Sequence, residues 1–217
     1  MKTLVWLVAI TFLAIGAETI NFDSTAPGKV PPGWTIALSH RGAPPKWEVV
    51  KDPSAPSPPY VLAQISHDKA GARCPLAILN KVNVQDGELS VKLKPVSGQE
   101  ERAGGLVWRF HDPNNYYLVR ANALENNIVL CKVENGREIP LAVRGTRTRT
   151  FAVGHEIPAN EWSVLKVQFR GPLFSVYFNR RRVFQVVDST FADPGRVGLW
   201  TKADSVTYFD DFRVTGR

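Results

Sequence analysis

The sequence predicts an all-β protein, an antiparallel sandwich or barrel, and three observations carry that reading. Short runs rich in Val, Ile, Phe, Tyr and Trp recur along the chain, Gly, Pro, Asn and Asp separate them, and helical periodicity is almost absent. The 217 residues are 44% hydrophobic and 22% charged, with 16 Gly, 16 Pro and 2 Cys. That usage excludes collagen, disorder and a disulfide-stapled miniprotein, and the length suits one domain with a substantial core.

The chain opens on a predicted secretory signal peptide, residues 1–17. Lys2 supplies the positive start, Leu4 to Ile15 is an almost unbroken apolar run, and Ala14, Gly16 and Ala17 offer small residues for cleavage. The run falls short of the roughly 20 residues of a membrane span, and no later stretch qualifies, although an uncleaved anchor is the alternative. The processing site has no Cys, so a bacterial lipoprotein anchor is not indicated. The expectation is a soluble domain over 18–217, secreted or periplasmic, with no membrane span once the signal is removed.

Strands are then expected, in order, at Thr19 to Asp23, Trp34 to Ser39, Trp47 to Lys51, Tyr60 to Ser66, Pro75 to Lys81, Gly87 to Lys94 and Leu106 to His111. They continue at Tyr116 to Ala123, Asn127 to Val133, Glu138 to Val143, Trp162 to Arg170, Phe174 to Asn179, Val183 to Val187, Val197 to Thr201 and Val206 to Val214. Each is a β-branched or aromatic run bounded by turn formers. Pro44 to Pro59 holds six prolines and resembles a linker. Trp47, Val49 and Val50 lie within it, and what precedes is too short for its own core, so it reads as a long surface connection.

Residues 104–122 carry the most information. Two alternating runs flank Asp112-Pro113-Asn114-Asn115, four turn formers. A four-residue loop sets His111 opposite Tyr116, Phe110 opposite Tyr117, Arg109 opposite Leu118 and Val107 opposite Arg120. Alternation then puts Leu106, Trp108, Phe110, Tyr117, Val119 and Ala121 in the core, with Val107, Arg109, His111, Tyr116, Leu118, Arg120 and Asn122 on the other face. Guanidinium groups and amides beside aromatic rings suit sugar recognition, through bidentate hydrogen bonds to paired hydroxyls and stacking on the apolar sugar face. The alternative is a solvent-facing sheet whose arginines cover apolar neighbours and pair with carboxylates. Trp200 with Lys202 extends the binding face, unless Trp200 packs in the core.

The net charge is +7, with basic clusters at Arg144, Arg147 and Arg149 and at Arg180, Arg181 and Arg182. A basic exported protein suits acidic glycans, phosphate surfaces or lipid headgroups. Nucleic acid is not an expected partner outside the cell, and a solvated loop face is the plain alternative. Cys74 and Cys131 each sit in an apolar run, which leaves a disulfide and a pair of buried thiols both open.

The segments AGGLVWRFHDPNNYYLVRAN, NNIVLCKVENGREIPLA, EWSVLKVQF and DPGRVGLWTKADSVTYFDDFRV together resemble the concanavalin A-like lectin and glucanase superfamily. Within it the chain is most similar to laminin-G-like jelly rolls and to domains named 3-keto-disaccharide hydrolase. The likeness runs over about residues 19–215 and is strongest from 103 onward. It implies a two-sheet antiparallel jelly-roll sandwich with a glycan-binding concave face. It also implies a structural calcium where the first and last strands meet, at Asp23, Asp210 and Asp211, whose hard oxygen ligands suit that ion. No other cofactor is implied. The E-x-D-x-x-E strand motif of retaining glucanases has no match here, so no catalytic residue carries over. Asn179-Arg180 stands where laminin-G-like hairpins have Asn-Gly.

Three functional readings follow. The first is a carbohydrate-binding jelly roll, using Arg109, His111, Tyr116, Arg120, Asn122, Trp200 and Lys202. The second is a glycoside or 3-keto-disaccharide hydrolase with His111 as general base. The third is a non-catalytic protein-interaction domain that makes contact through the arginine clusters. A monomer is expected in each case.

Overall fold

The computed structural model describes residues 15–216. Its strands, in chain order, are β1 (Ile15–Ile20), β2 (Trp34–Ser39), β3 (Trp47–Lys51), β4 (Tyr60–Gln64), β5 (Cys74–Val84), β6 (Gly87–Ser97), β7 (Ala103–Asp112) and β8 (Asn115–Asn122). They continue with β9 (Asn127–Glu134), β10 (Arg137–Pro140), β11 (Ala152–Gly154), β12 (Ser163–Arg170), β13 (Leu173–Phe178), β14 (Arg181–Val187), β15 (Gly195–Thr201) and β16 (Val206–Gly216). Sheet A has the order β14-β13-β12-β6-β16-β4-β3 with β1 on β16, and sheet B has β10-β9-β8-β7-β15-β5-β2 with β11 on β9. The chain passes repeatedly between sheets, as at β5 to β6, β6 to β7, β14 to β15 and β15 to β16. The fold is an all-β, two-sheet antiparallel jelly-roll sandwich. Among the described residues no helix is long and apolar enough to cross a membrane.

Every expected strand is present, and β2 and β3 have the expected bounds. The strand missed is β11, three residues held by pairing with β9, too short for alternation to show. The predicted signal peptide lies outside the described residues except for 15–17, which open β1. The first strand also stops earlier than expected. Phe22 turns into the left-handed region at φ 66° and inserts its ring, 2% exposed, against Trp34 at 5.8 Å.

The inward faces of the two sheets form the main core. Trp108 is fully buried and packs on Tyr117, Phe169 and Phe174 at centroid distances of 5.5, 5.9 and 5.3 Å. Such aromatic pairs add roughly 0.5–1.5 kcal/mol each to the gain from burial.

The central hairpin keeps its expected register at the turn, with Asp112 opposite Asn115, and loses it further in. Three residues of β7, 109–111, stand where β8 has only Tyr116, so Tyr117 pairs with Trp108, Leu118 with Val107 and Arg120 with Gly105. This bulge turns at Arg109, whose φ is 46°. The neighbouring strand leaves room for it at Gly195, where a Cβ would lie 2.6 Å from the Arg109 Cα. A bulge bends its strand and re-aims side chains. Phe110 therefore leaves the main core for the opposite face of sheet B, where alternation alone does not put it.

Arg109 itself is 1% exposed. Its guanidinium donates to the carbonyls of Gln85 (2.9 and 3.1 Å), Phe191 (2.7 Å) and Gly171 (2.9 Å), with Asp86 at 3.5 Å. Three loops from both sheets are thus tied to one side chain. Lysine carries the charge but cannot make a planar fork to three carbonyls. Arg109→Lys is expected to lower stability by about 3 kcal/mol in urea unfolding, because buried carbonyls lose charged donors. A change under about 1 kcal/mol would show that the clamp is dispensable.

Candidate functional site

Sheet B is curled, and its curl defines the site. Strand β2 lies four positions from β8 in the sheet order, about 19 Å away if the sheet were flat at its usual spacing. Yet the Ser39 hydroxyl on β2 donates to the Pro113 carbonyl at 2.5 Å and lies 2.9 Å from the Tyr116 hydroxyl on β8. The next residue, His40, donates from Nε2 to the Gly136 carbonyl in the β9–β10 turn at 2.7 Å. The outer face of sheet B is therefore concave.

That face is packed rather than open. Cys74, Leu76, Ile78, Val107, Tyr116, Leu118, Cys131 and Trp200 form a second buried cluster with Phe110. Tyr116 and Trp200 are both fully buried, so neither ring offers a face for stacking: Tyr116 departs from the expected role, and Trp200 takes the packed alternative. The two cysteines are free thiols. Burial, the largest cause, pushes the Cys74 thiol up to about 12 and raises Cys131 as well, which makes both poor nucleophiles.

Charged groups lie over this floor in a connected set. The Lys202 ammonium is 3.5 Å from Glu101 and 3.9 Å from Glu138 on β10. Asn122 donates to the same Glu101 at 2.5 Å and accepts the Leu124 N–H at 2.9 Å. Arg120 donates from Nη1 to Glu125 at 3.0 Å and to Asn127 at 3.3 Å. Burial alone lowers the Lys202 pKa, but Glu138 and Glu101 outweigh it and leave the ammonium above its usual value. Burial raises Glu125, and the Arg120 guanidinium more than reverses that. Lys202 and Glu125 thus each keep the charged form that their partners favour over desolvation.

Arg120 Nε is a buried donor on this face without a protein acceptor, while Trp200 Nε1 has the Tyr116 hydroxyl and the Cys74 sulfur as its neighbours. Arg120 and Trp200 share one row of the sheet, because Gly105 pairs with Arg120 on one side and with Trp200 on the other. A Cβ at Gly105 would lie 2.5 Å from the Val119 carbonyl oxygen, so no side chain can stand between them. Unsatisfied buried donors are uncommon and mark a place for a water or a ligand oxygen.

The segment before β7 positions Glu101. Asp204 accepts the backbone N–H groups of Gln99 at 2.7 Å and of Glu100 and Glu101 at 3.1 Å each. Gly98 makes the turn possible, since a Cβ there would lie 1.8 Å from the Glu101 carbonyl oxygen. Lys202 is fixed from the other side by Arg73, fully buried, which donates to the Ala203 carbonyl at 2.9 Å while its own carbonyl accepts the Ala203 N–H at 2.8 Å.

Of the seven residues proposed from sequence, Tyr116, Arg120, Asn122, Trp200 and Lys202 share the concave face. The bulge removes the other two. Arg109 is the loop clamp described above, and His111 is exposed with its ring 5.8 Å from Phe191, against the end of the sandwich. Glu101, Glu125, Asn127 and Glu138 belong to the site and were passed over, because they sit in loops or at strand ends where alternation says nothing. The three aspartates expected to hold calcium are occupied by protein donors. Asp23 accepts the Tyr60 N–H, Asp210 accepts the N–H groups of Ser57 and Asp211, and Asp211 pairs with Lys92 at 2.7 Å. Among the described residues no three His, Cys, Asp or Glu side chains converge on a metal position.

No protein-family profile matches the chain, and no curated protein does. Solved structures do. The carbohydrate-binding module CBM66 from Bacillus subtilis superimposes with a TM-score of 0.63 at 21% identity, covering 83% of this chain and 93% of its own. The cellulose-induced protein Cip1 gives 0.62 at 12% identity, with 92% and 97% covered. Domain 4 of AbnA, an extracellular GH43 arabinanase from Geobacillus stearothermophilus solved with arabinotriose, gives 0.54 at 15% identity, with 92% and 93% covered. At these identities the likeness is one of fold, and the class it defines is the two-sheet antiparallel jelly-roll sandwich.

Asp204 gives the site a checkable acid dependence. Burial raises its pKa, but the N–H donors of Gln99, Glu101 and Glu100 more than offset that and hold it below the ordinary 3.8. A depressed folded-state pKa contributes stability that is present above the unfolded value and lost as pH falls through the folded one. Asp204→Asn is expected to cost about 2 kcal/mol at pH 7. Urea unfolding should also show a shallower loss of stability below about pH 4 than in the wild type. Equal slopes would mean that Asp204 is not the group responsible.

Proposed function

We propose that the protein is an exported carbohydrate-binding domain that holds a neutral glycan on the concave face of sheet B. One observation carries the reading: a frame of alternating donors and acceptors from Arg120, Asn122, Lys202, Glu101, Glu125 and Glu138 lies over the concave floor, with Arg120 Nε left without a protein acceptor. A sugar hydroxyl both donates and accepts, so it fits between a paired cation and carboxylate without leaving either uncompensated. The buried Tyr116 and Trp200 act as the floor that orients these groups, and recognition is by hydrogen bonds more than by stacking. The carbohydrate-binding and extracellular descriptions of similar structures support the same reading. Hydrolysis of a glycoside or 3-keto-disaccharide has less support, because the histidine suggested as its base lies off this face.

The test is affinity electrophoresis and calorimetry of the protein against a panel of neutral polysaccharides, including arabinan and cellulose, with 3-keto-disaccharides assayed for released product. Binding to at least one glycan is expected, weakened about tenfold or more by Lys202→Met or Glu101→Gln. Retention by no glycan, or binding indifferent to both substitutions, would remove the concave face as the site. Product release by the purified protein would make it an enzyme.

A further inference from the structure

The two arginine clusters, more than thirty residues apart in sequence, lie on one edge of the molecule. The connection from β10 to β11 leaves sheet B and reaches the edge strand of sheet A. Val143 forms a β-bridge with Val186 of β14, and the Arg144 N–H donates to the Gln185 carbonyl at 2.7 Å. The connection then closes on itself, with the Val143 N–H donating to the Thr150 carbonyl at 2.7 Å. Arg147 and Arg149 therefore belong to a loop anchored against β14. Arg182 lies three residues from Gln185 along the same strand, about 10 Å away at the usual rise, with Arg181 and Arg180 beyond it. The Arg149 guanidinium sits 5.2 Å from the Phe151 ring centroid, and Phe151 and Val187 are two of the few large apolar side chains left exposed.

All six arginines are exposed, and among the described residues none is within ion-pairing distance of a carboxylate. The backbone adds an independent sign. Asn179 and Arg180 form a two-residue hairpin turn with φ 44° and 70°, the primed geometry that asks for glycine at its second position. An arginine held there is strained relative to glycine, so the residue at the tip is not the one the fold alone would favour.

From these positions we propose that this edge binds a linear anionic polysaccharide, one carrying carboxylate or sulfate groups along its chain. Guanidinium groups match such oxyanions in bidentate fashion, which ammonium groups do not. The strip follows a strand of seven residues, roughly 23 Å long, a shape suited to a polymer. The surface is separate from the concave face, and its function is independent of the neutral-glycan reading.

The experiment measures binding of the full chain to heparin, polygalacturonate and neutral dextran, and to phosphatidylglycerol vesicles, across a salt series. Expected is retention on the two anionic polysaccharides at about 0.1 M salt that is lost by about 0.5 M, as screening predicts, and no retention on dextran. The R180S/R181S/R182S and R144S/R147S/R149S variants should each bind about tenfold or more weakly. The control variant K29S/K51S/K81S removes the same charge from exposed positions elsewhere and should bind nearly as the wild type does. Arg180→Gly should raise the melting temperature while weakening polysaccharide binding, a pair of changes that a purely structural arginine would not give. Equal loss in the control variant would reduce the effect to net charge and overturn the proposal. So would binding to vesicles but to neither polysaccharide.

Discussion

The left-handed backbone at Arg109, wedged against Gly195, decides which side chains of the central hairpin enter the main core and which go to the concave side. Without the bulge Phe110 would pack between the sheets and Arg109 would face outward, an ordinary amphipathic ribbon. With it the guanidinium swings to the end of the sandwich and satisfies carbonyls of three turns where ladder pairing has stopped. Buried carbonyls at a sheet end need donors, and water cannot supply them inside a packed molecule. Arg73 does the same at another corner, donating to the carbonyls of Ala43, Pro44 and Ala203 and to the Ser66 hydroxyl. Arg109, expected as a ligand donor, therefore serves the backbone as Arg73 does.

Phe110 on the far side joins Leu76, Ile78, Val107, Leu118 and Trp200 in a second apolar face of sheet B, and a second apolar face must be covered. Among the described residues no third layer does so. The sheet curls until β2 meets the β7–β8 turn, and the side chains of the concave face bury one another. The same curl brings Lys202 at the end of β15 within reach of Glu138 on β10 at the opposite edge. Core and candidate site are thus one construction: the hydrophobic floor fixes the curvature, and the curvature assembles the charges above it. Moving a rim charge should leave the floor intact, whereas cutting into Trp200 or Tyr116 would disturb both.

Most strands were legible because their inward residues alternate with polar ones and their ends carry turn formers, as in Leu165, Val167 and Phe169 of β12. Faces were legible up to the first irregularity. Arg120, Asn122 and Lys202 were found by alternation alone, since the register from Asn122 to Tyr117 on β8 is unbroken. Arg109 and His111 were misplaced because a two-residue bulge leaves no mark in composition, and an arginine at positive φ has no sequence signature. Glu101 and Glu138 were invisible for another reason. They join the site through the curl of the sheet and the Asp204 cap, contacts that span large sequence separations.

The distribution of charge separates the two surfaces. On the concave face Lys202 and Arg120 are matched by Glu101, Glu138 and Glu125, and this pairing leaves no excess of positive charge there. Such a face presents dipoles and hydrogen-bonding groups at short range, which suits hydroxyls and gives little long-range attraction. The net charge of +7 has its densest concentration at the β14 edge, where six guanidinium groups stand unpaired in solvent. Unpaired exposed charge acts at a distance and depends on salt. On the two proposed readings, an anionic polymer is drawn to that edge by long-range attraction, whereas the curled face discriminates by short-range geometry.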